Sequence, residues 1–508
     1  MQLSEKTIGE IKRGEIDIPG EGYFALPEKV LQFGTGVLLR GLPDYFIDKA
    51  NKQKIFNGRV VMVKSTDSGG TDAFDKQDNL YTLCVRGIED GKNVQEDIIN
   101  ASISRVLSAK KDWEEILKCA SSGDMQIVIS NTTEVGLVLT KDNVHASPPS
   151  SFPGKLLAFL YRRYKSFNGD LSKGMVIIPT ELIPQNADKL LSILLELGQQ
   201  NGLETAFLDW LEHANEFCNS LVDRIVPGKL NGAEQHAIET KYGYQDELMI
   251  MSEVYRFWAI ESANEKVKQM LSFGIADKGV AIVPDITVFR ELKLRLLNGS
   301  HTFSCGLAHL AGFDTVKEAM DDHSFSSFIT NLMMKEIVPS ITTKDLTIDD
   351  AKTFAGKVLD RYRNPYIEHH WLSITMQYSS KMRMRNESTI KNYLRLFNTV
   401  PPYMALGFAG YVLFMKSVEE PGDKYYGEVN GKKYLINDDS AAYYHELWLQ
   451  NNNENLVEKV LSNENRWGDD LSTIPGFADA IKNNLQLLMT QGAKKTMENM
   501  GCDKNSEL

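Results

Sequence analysis

The chain has 508 residues, 42% hydrophobic and 24% charged, a composition that suits a folded globular protein of two or three domains and excludes disordered and fibrous classes. Its net charge of −12, with no block of like charges, argues against a nucleic-acid or membrane partner. An acidic protein that handles an anionic substrate therefore needs local cations in its pocket.

MQLSEKTIGEIKRGEIDIPG lacks the apolar core of a signal peptide and no stretch of about 18 apolar residues follows, so a cytoplasmic protein is expected. Cys84, Cys119, Cys218, Cys305 and Cys502 are scattered and form no CxxC pair, which predicts buried thiols.

From the start to about residue 285, apolar β-branched runs recur between helical patterns: VLQF from Val30, VVMVK from Val60, IVIS from Ile127 and MVIIP from Met175. Strands that are nearly continuous apolar runs predict a mostly parallel α/β sheet covered on both faces. LYTLCVRGIEDGKNVQEDI reads as a hairpin inserted into that domain. After Pro284 the segments are helical in length and spacing, as in SSFITNLMMKEIV and PYMALGFAGYVLFMKS, until a short hairpin with an Asn-Gly turn, YYGEVNGKKYLI. The expected division is a domain over 1–285, a mainly α-helical domain over 286–500 and a tail over 501–508.

The stretch FGTGVLLR, Phe33 to Arg40, follows the first strand. Gly34 and Gly36 let the backbone bend sharply and let a pyrophosphate approach the start of the next helix, as in a Rossmann-like domain. Leu39 stands where the usual fingerprint has its third glycine, and Arg40 adds a cation at the second helical turn. Asp67, after the second strand, suits a ribose hydroxyl and would repel a 2′-phosphate, although Lys64 offsets that in part. The same glycines also suit a plain strand-to-helix turn, and Asp67 an ordinary strand end.

ELKLRLLNGSHTF places Lys293, Asn298 and His301 as KxxxxNxxH. On an α-helix Asn298 falls at about 140° and His301 at about 80° from Lys293, on one side together with Leu294 and Leu297. The axial rises from Lys293 are about 7.5 Å to Asn298 and about 12 Å to His301, within the span of a six-carbon substrate. A lysine desolvated by leucines suits proton exchange with a hydroxyl, Asn298 suits a developing alkoxide, and His301 suits a further hydroxyl. The alternatives are a snorkelling lysine and a core histidine. A zinc site of His301, Cys305 and His309 is rejected, because the two histidines lie about 12 Å apart along the axis. HisHis at His369 and His370 is equally weak as a metal signal.

KxxxxNxxH resembles the catalytic signature of the polyol-specific long-chain dehydrogenases and reductases, the mannitol dehydrogenase family. QDNLYTL at Gln77, TTEVG at Thr132, LVDRIVPG at Leu221 and EVYRFWAIE at Glu253 resemble it too, in order over nearly the whole chain. LQFGTGVLLRG and YLRLFNTVPPYMALGFAGYVLF look most like its uronate-reducing branch. The resemblance implies a Rossmann-like domain followed by a helical one, NAD (NADH) as cofactor, and metal-independent interconversion of a sugar acid and its keto form. It implies Lys293, Asn298 and His301 as catalytic residues, and Phe33, Gly34, Gly36, Val37, Arg40, Asp67 and Thr133 around the cofactor. The same chemistry on mannitol, fructose or fructuronate is the alternative.

Two positions depart from the mannitol enzymes. Leu182 stands where they carry an asparagine, leaving Asn186 as a nearby helper, and Arg290 replaces a glutamate three residues before Lys293. A guanidinium there suits a uronate, and Arg290, Arg361, Arg363 and Lys381, the last in a SerSerLys segment matching the family, are the candidate carboxylate partners.

Overall fold

The computed structural model describes residues 1–11, 14, 16–65, 71–132 and 136–501. They belong to two compact units, Met1–Gly87 with Asn93–Ile286, and Ile88–Lys92 with Thr287–Leu508.

In the first unit six parallel strands lie in the spatial order Ile103–Ser108, Arg59–Lys64, Glu28–Phe33, Ile127–Ser130, Val176–Pro179 and Glu216–Phe217. Numbered among themselves along the chain this is 3-2-1-4-5-6, the order of a dinucleotide-binding sheet, with its reversal between Glu28–Phe33 and Ile127–Ser130. Their apolar runs are two-sided because both faces are covered. Val30, Val60 and Ile127 join one apolar layer with Phe46 and Ile47 of the Pro43–Lys52 helix. Leu31, Val61 and Val128 join the other with Leu156 of Phe152–Ser166 and Leu190 of Asn186–Gln200.

The expected hairpin is present as Tyr81–Glu89 and Lys92–Asn100, neighbours in a four-stranded sheet with Ile16–Asp17 and Ile250–Glu253. Asp90 and Gly91 between them have φ of 53° and 72°, the pair of positive values that a tight hairpin turn needs. Ser220–Asp223, Phe257–Glu261 and Val280–Val283 form a further three-stranded sheet.

The second unit is helical around Pro402–Phe414, where every residue from Met404 to Val412 is buried. Gly407 allows a close approach to the Ser300–Leu310 helix: a Cβ there would lie 2.7 Å from the Phe303 carbonyl oxygen. The Asn-Gly hairpin forms from Lys424–Val429 and Lys432–Leu435, with Asn430 and Gly431 at φ of 51° and 75°, and Val418–Glu420 adds a third strand.

One expected element differs. The helix through Lys293 is not a continuous α-helix: Thr287–Glu291 and Ser300–Leu310 are α, but Leu292–Gly299 between them is a π-helix. A π turn takes more residues than an α turn, so the 140° separation of Lys293 and Asn298 expected on an α-helix is corrected to a narrower one. Side chains hold the widened turn open. The Ser300 hydroxyl donates to the Leu296 carbonyl, the Tyr362 hydroxyl donates to the Leu297 carbonyl (3.2 Å), and the Thr302 hydroxyl donates to the Asn298 carbonyl (2.8 Å). Gly299 completes it, since a Cβ there would lie 2.8 Å from Asn386 Oδ1 on the Tyr378–Phe397 helix.

Candidate active site

In the first unit the turn after Glu28–Phe33 sits at the reversal of strand order, where nucleotides bind in doubly wound sheets. Gly34 has φ of +127°, and a Cβ on it would lie 3.0 Å from both the Asn131 carbonyl oxygen and Leu39 Cδ1. Leu39, at the place of the third glycine, is buried against that turn. Among the described residues a Cβ on Gly36 would meet nothing within 4 Å, and no side chain caps the helix Val37–Gly41 that begins there. An uncapped backbone beside open space is a cradle that a cofactor pyrophosphate fits. Phe33 is buried against Phe152 with ring centroids 5.2 Å apart, so its side chain is core. Val37 packs under Gly228. Asp67 and Thr133 lie outside the described residues.

Arg40 requires a correction. Its guanidinium is buried and donates from Nη1 to the Leu248 carbonyl (2.8 Å), with the Phe74 and Tyr81 rings 5.6 and 5.2 Å from it. The second helical turn points inward, away from the open side of Gly36, so Arg40 braces the turn from behind. Arg224 does the same, donating to the Gly41 carbonyl (2.6 Å) and the Glu253 carbonyl (2.9 Å).

Asn186 is also corrected. It is buried, its Nδ2 donates to the carbonyls of Pro179, Glu181 and Ser220, and its Oδ1 accepts from the Ser220 amide, so both amide protons are committed within the protein and none is left to donate to a substrate. Leu182 beside it is 60% exposed. Glu181, which the sequence did not single out, is buried and accepts from the Thr132 amide (2.8 Å) and the Thr132 hydroxyl (3.0 Å), anchoring Thr132 after the fourth strand. Burial pushes its carboxyl up, against the hydrogen bonds that lower it.

In the second unit, Lys293 and Asn298 are half-buried on the π turn and His301 is buried one turn on. The His301 ring stacks on Tyr362 at 4.2 Å and meets His369 and Trp371 edge-on at 5.3 and 6.0 Å. Its Nε2 is buried and has no hydrogen-bond partner among the described residues, an orphan that a substrate hydroxyl would satisfy. Burial, then His369, Arg361, Arg385 and Lys381, hold the imidazole well below its ordinary range, so His301 is neutral at neutral pH. His309 packs elsewhere, edge-on to Tyr434 at 4.7 Å.

Of the expected carboxylate partners, Arg361 is buried, Arg363 and Arg290 are half-buried, and Lys381 donates to the Ile374 carbonyl (3.0 Å). Burial and then Arg385 lower the Lys381 ammonium. Arg385 was not foreseen. Its Nη1 donates to the Thr302 hydroxyl (3.1 Å) and reaches the Asn298 carbonyl (3.5 Å). The signal that could have found it is spacing: four residues beyond Lys381 on one helix, it shares that residue's face.

Comparison with known proteins agrees with this architecture. The mannitol dehydrogenase Rossmann domain model matches residues 28–271, and the mannitol dehydrogenase C-terminal domain model matches 285–489. Altronate oxidoreductase of Bacillus subtilis (strain 168) is 37% identical over 94% of this chain and 96% of its own. Altronate oxidoreductase of Shigella flexneri is 34% identical over 95% and 98%. Among solved structures, Pseudomonas fluorescens mannitol 2-dehydrogenase in a ternary complex with NAD and D-mannitol superposes with a TM-score of 0.69 at 21% identity, covering 99% of this chain and all of that one. A substrate-free D-sorbitol dehydrogenase gives 0.79 at 18% identity, over 98% and 100%. The Rossmann-like sheet, the helical second unit and these relatives together establish that the chain belongs to the mannitol dehydrogenase family.

Proposed function

We propose that the chain is an NAD(H)-dependent oxidoreductase that interconverts D-altronate and D-tagaturonate. The observation that carries the substrate is the 37% identity, over 94% of the chain, to a protein named altronate oxidoreductase. The cations around His301 agree with an anionic sugar. When bound, NADH supplies the hydride that reaches the keto carbon.

Lys293 gives its proton to the keto oxygen in reduction and takes it back in oxidation. The Asn298 amide, turned toward the face of Lys293 by the π turn, donates to the same oxygen as its charge develops. Neutral His301, held flat on Tyr362, hydrogen-bonds a neighbouring hydroxyl through Nε2 and fixes which carbon faces the hydride. The cofactor is held by the backbone of Gly34, Gly36 and Val37, with Asp67 and Thr133 completing the nucleotide site. Residues 1–285 carry that site, 286–500 carry the substrate, and 501–508 are a tail. The enzyme acts in the cytoplasm on a small sugar acid, with no nucleic-acid or membrane partner. Among the described residues no helix is long and apolar enough to cross a membrane.

Purified protein mixed with NADH and D-tagaturonate should consume both in equal amounts and yield altronate. If no sugar acid supports NADH oxidation, this reading is wrong.

A further inference from the structure

The Tyr378–Phe397 helix presents two cations one turn apart, Lys381 and Arg385, both half-buried beside the π turn. Among the described residues neither makes an ion pair within 4.0 Å, although buried cations are ordinarily matched by carboxylates. Arg385 is anchored on one side only. Nη1 is spent on Thr302 and the Asn298 carbonyl, while its Nε and Nη2 have no acceptor among the described residues and are not sealed from solvent. Nε and Nη2 together are the guanidinium edge that matches the two oxygens of a carboxylate.

We propose that this edge of Arg385 binds the substrate carboxylate in a bidentate pair, with the Lys381 ammonium beside it, and that Arg385 thereby sets the preference for a sugar acid over the neutral sugar. The inference rests on the sugar-acid reading above and adds the residue responsible. The tether to Thr302 and to the Asn298 carbonyl has a second consequence. A carboxylate held by Arg385 is fixed relative to Asn298 and His301, so the charged end of the substrate positions the reacting end.

The test compares wild type with Arg385→Lys and Arg385→Gln, using NADH with D-tagaturonate and with the neutral ketose that carries a hydroxymethyl group in place of the carboxylate. The expected result is a fall of at least about 100-fold in the ratio of kcat/KM for the acid over that for the neutral ketose in Arg385→Gln, chiefly through KM. Arg385→Lys keeps the charge but loses the bidentate edge and should fall between the two. Added guanidinium should restore part of the acid activity of Arg385→Gln. NADH binding, measured by fluorescence, reports whether the variants are folded. A ratio unchanged in both folded variants overturns the assignment of Arg385 and leaves the function intact. A wild type that reduces no sugar acid instead overturns the reading on which the assignment rests.

Discussion

Asp44 offers a sharp test of how the turn proposed to hold the cofactor is supported. It lies in the first turn of Pro43–Lys52, wholly buried, with Oδ2 accepting from Gln32 Nε2 (3.2 Å). Asp44 Oδ1 and Gln32 Oε1 both lack partners among the described residues, an arrangement that a proton on the carboxyl suits. Burial raises the carboxyl from its ordinary 3.8 to about 7, with Gln32 and Arg40 opposing and Asp48 adding to the rise. The native state therefore holds a proton that the unfolded state releases. The stability this confers is complete below pH 3.8 and is lost as pH rises through about 7. The whole gap corresponds to roughly 4 kcal/mol, of which about 3 falls between pH 5 and pH 8. Asp44→Asn keeps the shape and removes the titration. Urea denaturation of both proteins at pH 5 and pH 8, followed by tryptophan fluorescence, should show the variant gaining about 3 kcal/mol on wild type across that interval. A difference between the two proteins that is equal at both pH values would refute the neutral carboxyl.

Three further outcomes follow from the site. Gly36→Ala adds a Cβ that meets nothing within 4 Å among the described residues, so the Kd for NADH should rise at least tenfold while the melting temperature holds; unchanged binding would remove the cradle. Tyr362→Phe strips the Leu297 carbonyl of the hydroxyl that donates to it, which should cost about 1–3 kcal/mol of stability. If the π turn aligns Asn298 for catalysis, kcat should fall with it; lost stability with intact kcat would detach the turn from the chemistry. Lys293→Ala should lower kcat on the order of 10²–10⁴-fold with NADH binding intact, measured by stopped-flow absorbance, and surviving turnover would reassign the proton donor.

The strands were legible because their environment is two-sided: Val60–Val63 is apolar throughout, and Val30–Phe33 apart from the buried Gln32, because helices cover both faces. The Asn430–Gly431 turn was legible because few residue pairs adopt positive φ twice in succession. The candidate residues Lys293, Asn298 and His301 can be picked out from the sequence, but their geometry cannot. Periodicity assumes an α-helix, and nothing in ELKLRLLNG announces a π turn until Ser300, Thr302 and Tyr362 are seen donating to its carbonyls. Arg40 and Asn186 were misjudged for a common reason. Both are polar residues near the open end of the sheet, and only packing against Leu248 and Ser220 shows that they face the interior. Arg385 was overlooked because a charged residue on a long helix ordinarily faces solvent.

The most direct test of the account is the NADH-dependent kcat/KM of the purified protein for D-tagaturonate, fructuronate and fructose measured side by side. Tagaturonate should exceed fructose by at least about 100-fold and should also exceed fructuronate. Equal or greater efficiency with fructose would contradict a site built around a carboxylate.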